Sequence, residues 1–215
     1  MEKKTYKLGI FDYSGVLSDD RRPVYEANQQ ILIMHGLRSM RFDDWLVSTH
    51  ASAGEALKSK GVHLSKEEID ELYAKVYKEV TTREQDPVKP VMYPDASEVL
   101  AALNGRGLKL AVVSSHPEGS LVEELNNYGI ACHFNTISGN PSPKSKRLVD
   151  VCHELNVPVS QAFFVEDTIY GLKAGYRAGV DSFGITTGYH SRERLEAEGT
   201  ALKVVDSLTE LLKFV

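Results

Sequence analysis

Asp12 ends the apolar run 6–11, Ser114-Ser115-His116 ends the run 108–113, and Glu166-Asp167-Thr168 ends the run 162–165. Lys144 follows the short stretch Pro141-Ser142-Pro143. Carboxylates grouped on loops are hard oxygen ligands suited to Mg²⁺, which takes one or two carboxylates together with a phosphate. Hydroxyls and an ammonium suit phosphate oxygens. A carboxylate placed to attack phosphorus can form an aspartyl phosphate. Taken singly, each residue has a plainer reading. Asp12 before Ser14-Gly15 reads as a turn residue, and Ser114, Ser115, Asp167 or Thr168 as helix caps. Lys144 reads as a solvated charge, His116 as a surface or helix-start residue, and Cys132 as a core residue. Their arrival in chain order after successive apolar runs favours the chemical reading.

Positioning these residues requires strands that alternate with helices. Strands are expected at 6–11, 108–113, near 135–137, and at 162–165, 182–185 and 203–205. Between them Val99, Leu100 and Leu103 mark a helix stopped by Gly105 and Gly107. Leu121, Val122, Leu125 and Tyr128 mark the next, and Leu148, Cys152 and Leu155 a third. A helix from about 169 to 177 closes at Gly179, and Asp206-Ser207 opens the last one. Such alternation implies a Rossmann-like parallel sheet with helices on both faces, the α/β class. In an open α/β sheet, ligands bind outside the carboxyl ends of the strands, where Asp12, Ser114, Lys144 and the Glu166-Asp167 pair fall.

One stretch breaks the alternation. Residues 23–80 read as helical, with a capping box at Ser65-Lys66-Glu67-Glu68. Ile69, Leu72, Tyr73, Val76, Tyr77 and Val80 then recur at helical spacing. Residues 84–94 carry three prolines and read as a linker. The expected division is a core domain of residues 1–19 and 89–215 with a small α-helical cap, 20–88, inserted after the first strand.

Composition narrows the function classes. Twenty-five basic residues against thirty acidic ones give net charge −5. This argues against nucleic acid as a partner, because phosphate-backbone binding leaves a basic face. No apolar run approaches the roughly 20 residues of a membrane span, and the first residues lack the apolar stretch of a secretory leader. Two cysteines, Cys132 and Cys152, form no CxxC pair and no disulfide framework. The expectation is a cytoplasmic protein whose partner is a small molecule rather than a nucleic acid or a membrane; oligomeric state stays open.

Phe11-Asp12-Tyr13-Ser14-Gly15-Val16-Leu17 resembles the first motif, D-x-D-G-T/V-L/V, of the haloacid dehalogenase superfamily. The strand ending in Ser114-Ser115 is similar to its second motif and Lys144 to its third. Val165-Glu166-Asp167-Thr168-Ile169-Tyr170-Gly171 resembles the fourth in the β-phosphoglucomutase and phosphoglycolate-phosphatase-like branch, and Ala174–Gly179 continues in that branch's manner. The resemblance implies a Mg²⁺-dependent phosphohydrolase acting on a small phosphorylated metabolite under a helical cap. Asp12 would be nucleophile and metal ligand, the Ser14 carbonyl and Asp167 further ligands, and Glu166 a ligand directly or through water. Ser114, with Gly15 and Ser115 beside the phosphate, would bond the phosphoryl group, and Lys144 would offset the charge of Asp12 and of the phosphoryl oxygens. The cap would open and close over the Asp12 edge, hinged near Asp19-Asp20 and the proline-rich return.

One departure stands out. Where phosphatases of the superfamily carry a second Asp as acid and base, this sequence has Ser14. A serine hydroxyl has no pKa near neutrality, so metal binding is expected to survive the change better than turnover does. Branches without that Asp include the P-type ATPases and phosphonoacetaldehyde hydrolase. Two alternatives therefore stand: a carbon–phosphorus hydrolase of the latter type, and a protein that binds phosphate or a partner without turnover. The first needs a cap lysine; Lys58, Lys60, Lys66, Lys75 and Lys78 are present, but Arg38 and Arg41 fall near its usual place. Substrate choice would rest on residues such as Arg38, Arg41, Trp45 and His50.

Overall fold

Leu8, Ile10 and Phe11 are all fully buried, which places the first strand inside a sheet rather than at its edge. The computed structural model describes residues 4–48, 53–141 and 143–215, so His50 and Ser142 lie outside the described residues. Along the chain run β1 (Leu8–Phe11), β2 (Ser18–Asp19), α1 (Arg21–Met34), α2 (Phe42–Val47), α3 (Ala53–Ser59), α4 (Lys66–Thr82) and β3 (Val91–Met92). Then come α5 (Ala96–Gly105), β4 (Lys109–Ser114), α6 (Glu118–Asn127), β5 (Thr136–Gly139), α7 (Lys144–Glu154), β6 (Ala162–Glu166), α8 (Ile169–Ala178), β7 (Asp181–Ile185), α9 (Arg192–Ala197), β8 (Lys203–Val205) and α10 (Leu208–Leu211). The main sheet has the order β5-β4-β1-β6-β7-β8 and every pairing in it is parallel. This is the Rossmann-type α/β fold. After β1 the chain builds outward through β4 and β5, then returns to β6 on the other side, so β1 is the switch point where such sheets bind ligands.

Both faces of the sheet are dry, which is why these strands read as continuous apolar runs. Alternate residues serve opposite cores. Phe11, Leu110, Val112, Phe163 and Val165 pack with Leu100, Leu103, Leu121 and Leu125. Leu8, Ile10, Ala111, Val113 and Phe164 pack with Leu148, Val151 and Cys152. Gly9 belongs to the first face, where a Cβ would stand 2.7 Å from the Phe163 ring. Helix α8 ends on Gly179 at φ +73°, a left-handed position that suits glycine.

By contacts the chain divides into two compact units, Met1–Ser18 with Met92–Val215, and Asp19–Val91. Both junctions fall within a short β2–β3 ribbon, so the linker stretch contains a strand. Within the helical unit α1 packs on α4, and the buried residues include Val24, Ala27, Ile31 and Leu32 of the first and Ile69, Tyr73, Val76 and Tyr77 of the second. The capping box opens α4: Glu68 N–H donates to Ser65 Oγ at 3.2 Å and Ser65 N–H to Glu68 Oε2 at 2.8 Å. No helix of the described residues is long and apolar enough to cross a membrane.

Three residues depart from expectation. Cys132 is exposed, because it sits in the short 3₁₀ turn Ala131–His133 rather than on a packed face. His116 is only 4% exposed. Its ring lies 5.1 Å from that of Tyr13 and its Nε2 lies 3.4 Å from Glu124 Oε2, so a carboxylate inside the core gives the imidazole a place there. Lys144 is the first residue of α7 instead of a loop residue, preceded by the extended Pro143.

Candidate active site

The carboxyl ends of β1 and β6 are hydrogen-bonded neighbours, with Phe11 beside Val165, so the residues that follow each strand emerge side by side. Asp12 leaves β1 with its N–H bonded to the Val165 carbonyl at 2.9 Å. Glu166 ends β6 and Asp167 follows it. The three carboxylates are buried, and one oxygen of each lies within 4.8 Å of the others. Lys144 reaches the group from α7, its Nζ 2.7 Å from Asp12 Oδ2 and 3.1 Å from Glu166 Oε2.

Each carboxylate is held by further donors. The Tyr13 N–H donates to Asp12 Oδ1 at 2.7 Å. Glu166 Oε1 accepts from the Asp167 and Thr168 amides at 3.1 Å and from Thr168 Oγ1 at 3.0 Å. Asp167 Oδ2 accepts from the Tyr189 N–H at 2.7 Å. Thr168 also caps α8 through Gly171 N–H, which leaves Asp167 free of that structural duty. Neither Ser114 nor Ser115 caps α6, whose N-cap is Pro117. Ser114 is 1% exposed, accepts from the His116 N–H at 3.3 Å, and supports the ionised Asp12 by hydrogen bonding. Ser115 shares that turn, but no hydrogen bond joins it to the cluster among the described residues. Ser14, half-buried, pairs with Ser18 in an isolated bridge just past Tyr13.

Three buried carboxylates face one ammonium, and the electrostatics follow from that imbalance. Burial would raise the Asp12 carboxyl, but the Lys144 charge and the bonds from Lys144 and Ser114 bring it below its usual value. Burial opposes the Lys144 charge, yet Asp12 and Glu166 outweigh it and raise its pKa. Burial, with the Asp12 charge added, pushes Glu166 up to about 7. Asp167 is raised well above the ordinary range by burial and by the charges of Glu166 and Asp12. The cluster thus gathers more carboxylate than the Lys144 ammonium alone offsets. An all-oxygen, buried, under-neutralised donor set fits a hard divalent ion such as Mg²⁺.

The segment after β7 completes the site, and no sequence motif announces it. Thr187 Oγ1 donates to the Gly15 carbonyl at 2.6 Å, and Tyr93 Oη donates to the Thr187 carbonyl at 2.7 Å. A Cβ on Gly188 would stand 1.9 Å from Asp167 Oδ2, and one on Gly15, itself at φ +73°, 2.1 Å from the same oxygen. His190, 2% exposed, accepts from Ile169 N–H through Nδ1 at 3.0 Å and steadies the start of α8. Applying the strand-end rule to β7 as well would have pointed to Thr187-Gly188.

Residues 9–185 match the family described as haloacid dehalogenase-like hydrolase. The sequence is 28% identical over 201 residues to a phosphoglycolate phosphatase of Psychrobacter arcticus, covering 86% of this chain and 85% of that one. It is 28% identical over 202 residues to a validoxylamine A 7'-phosphate phosphatase of Streptomyces hygroscopicus subsp. limoneus, covering 90% and 92%. In fold it resembles the crystal structure of a predicted phosphatase from Clostridium acetobutylicum, with a TM-score of 0.84 at 20% identity over 98% of each chain.

Proposed function

The chain belongs to the haloacid dehalogenase-like hydrolase family and is a phosphatase of small phosphorylated substrates, and on that premise we propose that it works through an aspartyl phosphate on Asp12 with Mg²⁺ as cofactor. The observation that carries this reading is the Lys144 ammonium bridging Asp12 and Glu166, with Asp167 alongside, at adjacent strand ends. Asp12, Asp167, the Ser14 carbonyl and Glu166, directly or through water, would hold the metal. Bound there, it would screen the phosphoryl charge and polarise its oxygens.

The remaining roles belong to the chain. Asp12, ionised by Lys144 and pinned through Oδ1 by the Tyr13 amide, presents its carboxylate to phosphorus. A bond forms from an Asp12 oxygen to phosphorus as the bond to the leaving oxygen breaks, and the electron pair departs with that oxygen. Lys144 and the Ser114 hydroxyl offset the charge on the phosphoryl oxygens. Water then attacks phosphorus, releasing inorganic phosphate and restoring the carboxylate. Both steps need a proton moved, and Ser14 supplies no carboxylate to move it, so turnover depends on the leaving group. The unit Asp19–Val91 is the cap in this reading.

A phosphatase screen with and without Mg²⁺, comparing wild type with Ser14→Asp, is the test. Wild type should turn over an activated aryl phosphate weakly and alkyl phosphates more weakly still, both dependent on Mg²⁺. Metal-independent turnover, or turnover retained in Asp12→Asn, would overturn the route.

A further inference from the structure

A concavity is lined wholly by residues of the helical unit. It encloses about 570 Å³ and is lined by Leu32, Leu37 and Met40 together with Arg38, Ser39, Arg41, Asp44 and Lys60. That volume is in the range of small-molecule sites. Arg38, Arg41 and Asp44 are exposed and Lys60 half-buried, while Leu32 at the base is 2% exposed. Three cations against one carboxylate line this hollow in a chain whose net charge is −5. Among the described residues, the side chains of Arg38, Ser39, Arg41 and Lys60 make no hydrogen bond or ion pair. Elsewhere in the unit Arg21, Lys66 and Arg83 are paired with Asp19, Asp70 and Glu26.

The wall that carries the two arginines is held in place. Met40 N–H donates to Gln29 Oε1 at 2.6 Å and Tyr25 Oη donates to the Met40 carbonyl at 2.6 Å, so two α1 side chains grip the loop between Arg38 and Arg41. Leu37 N–H bonds to the Leu32 carbonyl at 2.9 Å and fixes its start. Guanidinium groups on a fixed loop with no partner among the described residues are prepared donors for carboxylate or phosphate oxygens, because neither has a bond to those residues to break first. The apolar base accommodates a short carbon body.

We propose that this hollow is an anion site of the helical unit, taking the carboxylate or phosphate of a small, multiply charged metabolite. Its residues are separate from Asp12, Lys144, Glu166 and Asp167, and the site stands whether or not the aspartyl-phosphate route does.

The chain has a single tryptophan, Trp45, which follows Asp44 on α2 and meets the Tyr25 ring edge-on at 5.4 Å. Trp45 fluorescence therefore reports on this wall. The full chain, held in EDTA, is titrated with inorganic phosphate and with malonate, with calorimetry in parallel. Wild type should saturate, and affinity should fall as salt rises, as for exposed charges. Arg38→Gln and Arg41→Gln should each weaken binding at least about tenfold, the worth of one charge-assisted hydrogen bond. Asp44→Asn should tighten it. Tighter binding of phosphate or of malonate distinguishes a phosphorylated from a carboxylated occupant. No saturable binding by either readout, or titrations identical in wild type and both arginine variants, would overturn the proposal; binding of phosphate at the carboxylate cluster alone would give that second result.

Discussion

Asp12 and Ser14 stand two residues apart and divide the expected chemistry between them. Asp12 has what a nucleophile needs: ionisation enforced by Lys144 and orientation by a backbone amide. Ser14 lacks what an acid and base need, a group that titrates near neutrality. Ser14→Asp should therefore raise alkyl phosphate turnover about 10²-fold, the lower end for a positioned acid–base group. An alkyl phosphatase rate in wild type of about 10 s⁻¹, ordinary for an enzyme, would show that another residue does that work. Asp12→Asn should abolish turnover of aryl and alkyl substrates alike. Lys144→Met strips the ammonium from two buried carboxylates, and the loss should approach the roughly 3–5 kcal/mol of a broken buried pair. Denaturant melts should show that loss smaller at pH 6 than at pH 8, since Glu166, raised to about 7, takes up a proton as the pH falls.

At the scale of elements, the segment between β7 and α9 governs the shape of the site. It touches Gly15 through Thr187 and Asp167 through Tyr189, joining the loop after β1 to the turn after β6. Gly188 permits this by having no side chain: its missing Cβ is what lets Asp167 Oδ2 lie so near the backbone. Gly188→Ala should displace Asp167, weaken Mg²⁺ binding measured by calorimetry, and cost about 1–3 kcal/mol, as overpacking does. Unchanged metal affinity in that variant would mean that the segment only fills space. Thr168→Ala removes both an α8 cap and a donor to Glu166, and should cost about 1 kcal/mol through the cap alone.

For the whole molecule, the carboxylate cluster links folding to pH and, on the proposed reading, to metal. Glu166 and Asp167 have folded-state pKa values above those of the unfolded chain, so the folded state binds more protons between the two. The Glu166 contribution is full below about pH 4.5 and is lost as pH rises through about 7, and Asp167, raised by the same burial and charge, acts in the same direction. Asp12, shifted down, acts only at lower pH and does not offset them in this window. In EDTA the thermal midpoint should fall from pH 5.5 to 8, by an amount on the order of a few kcal/mol in free energy. Saturating Mg²⁺ should flatten that slope by replacing the protons. A midpoint that rises with pH in EDTA would contradict the electrostatic account of the site.

What the sequence determined by itself was local. Apolar runs buried on both faces announced β1, β4 and β6, and Ser65 with Glu68 announced the start of α4, because those signals lie within one element. Asp12, Ser114, Glu166 and Asp167 were legible because a strand end followed by a polar residue is a pattern of adjacent letters. The resemblance had already set Lys144 beside Asp12; tertiary structure alone decided that Lys144 also reaches Glu166, that Thr187 and Gly188 close on Gly15 and Asp167, and that His116 shares the core with Tyr13 and Glu124. It also put Cys132 at the surface and gathered Arg38, Arg41 and Lys60 around one hollow. The physical reason is the same in each case. Periodicity and capping are fixed within a few residues of backbone, whereas a buried charge or an imidazole settles wherever the packed chain brings it a partner, and no spacing rule along the chain records that distance.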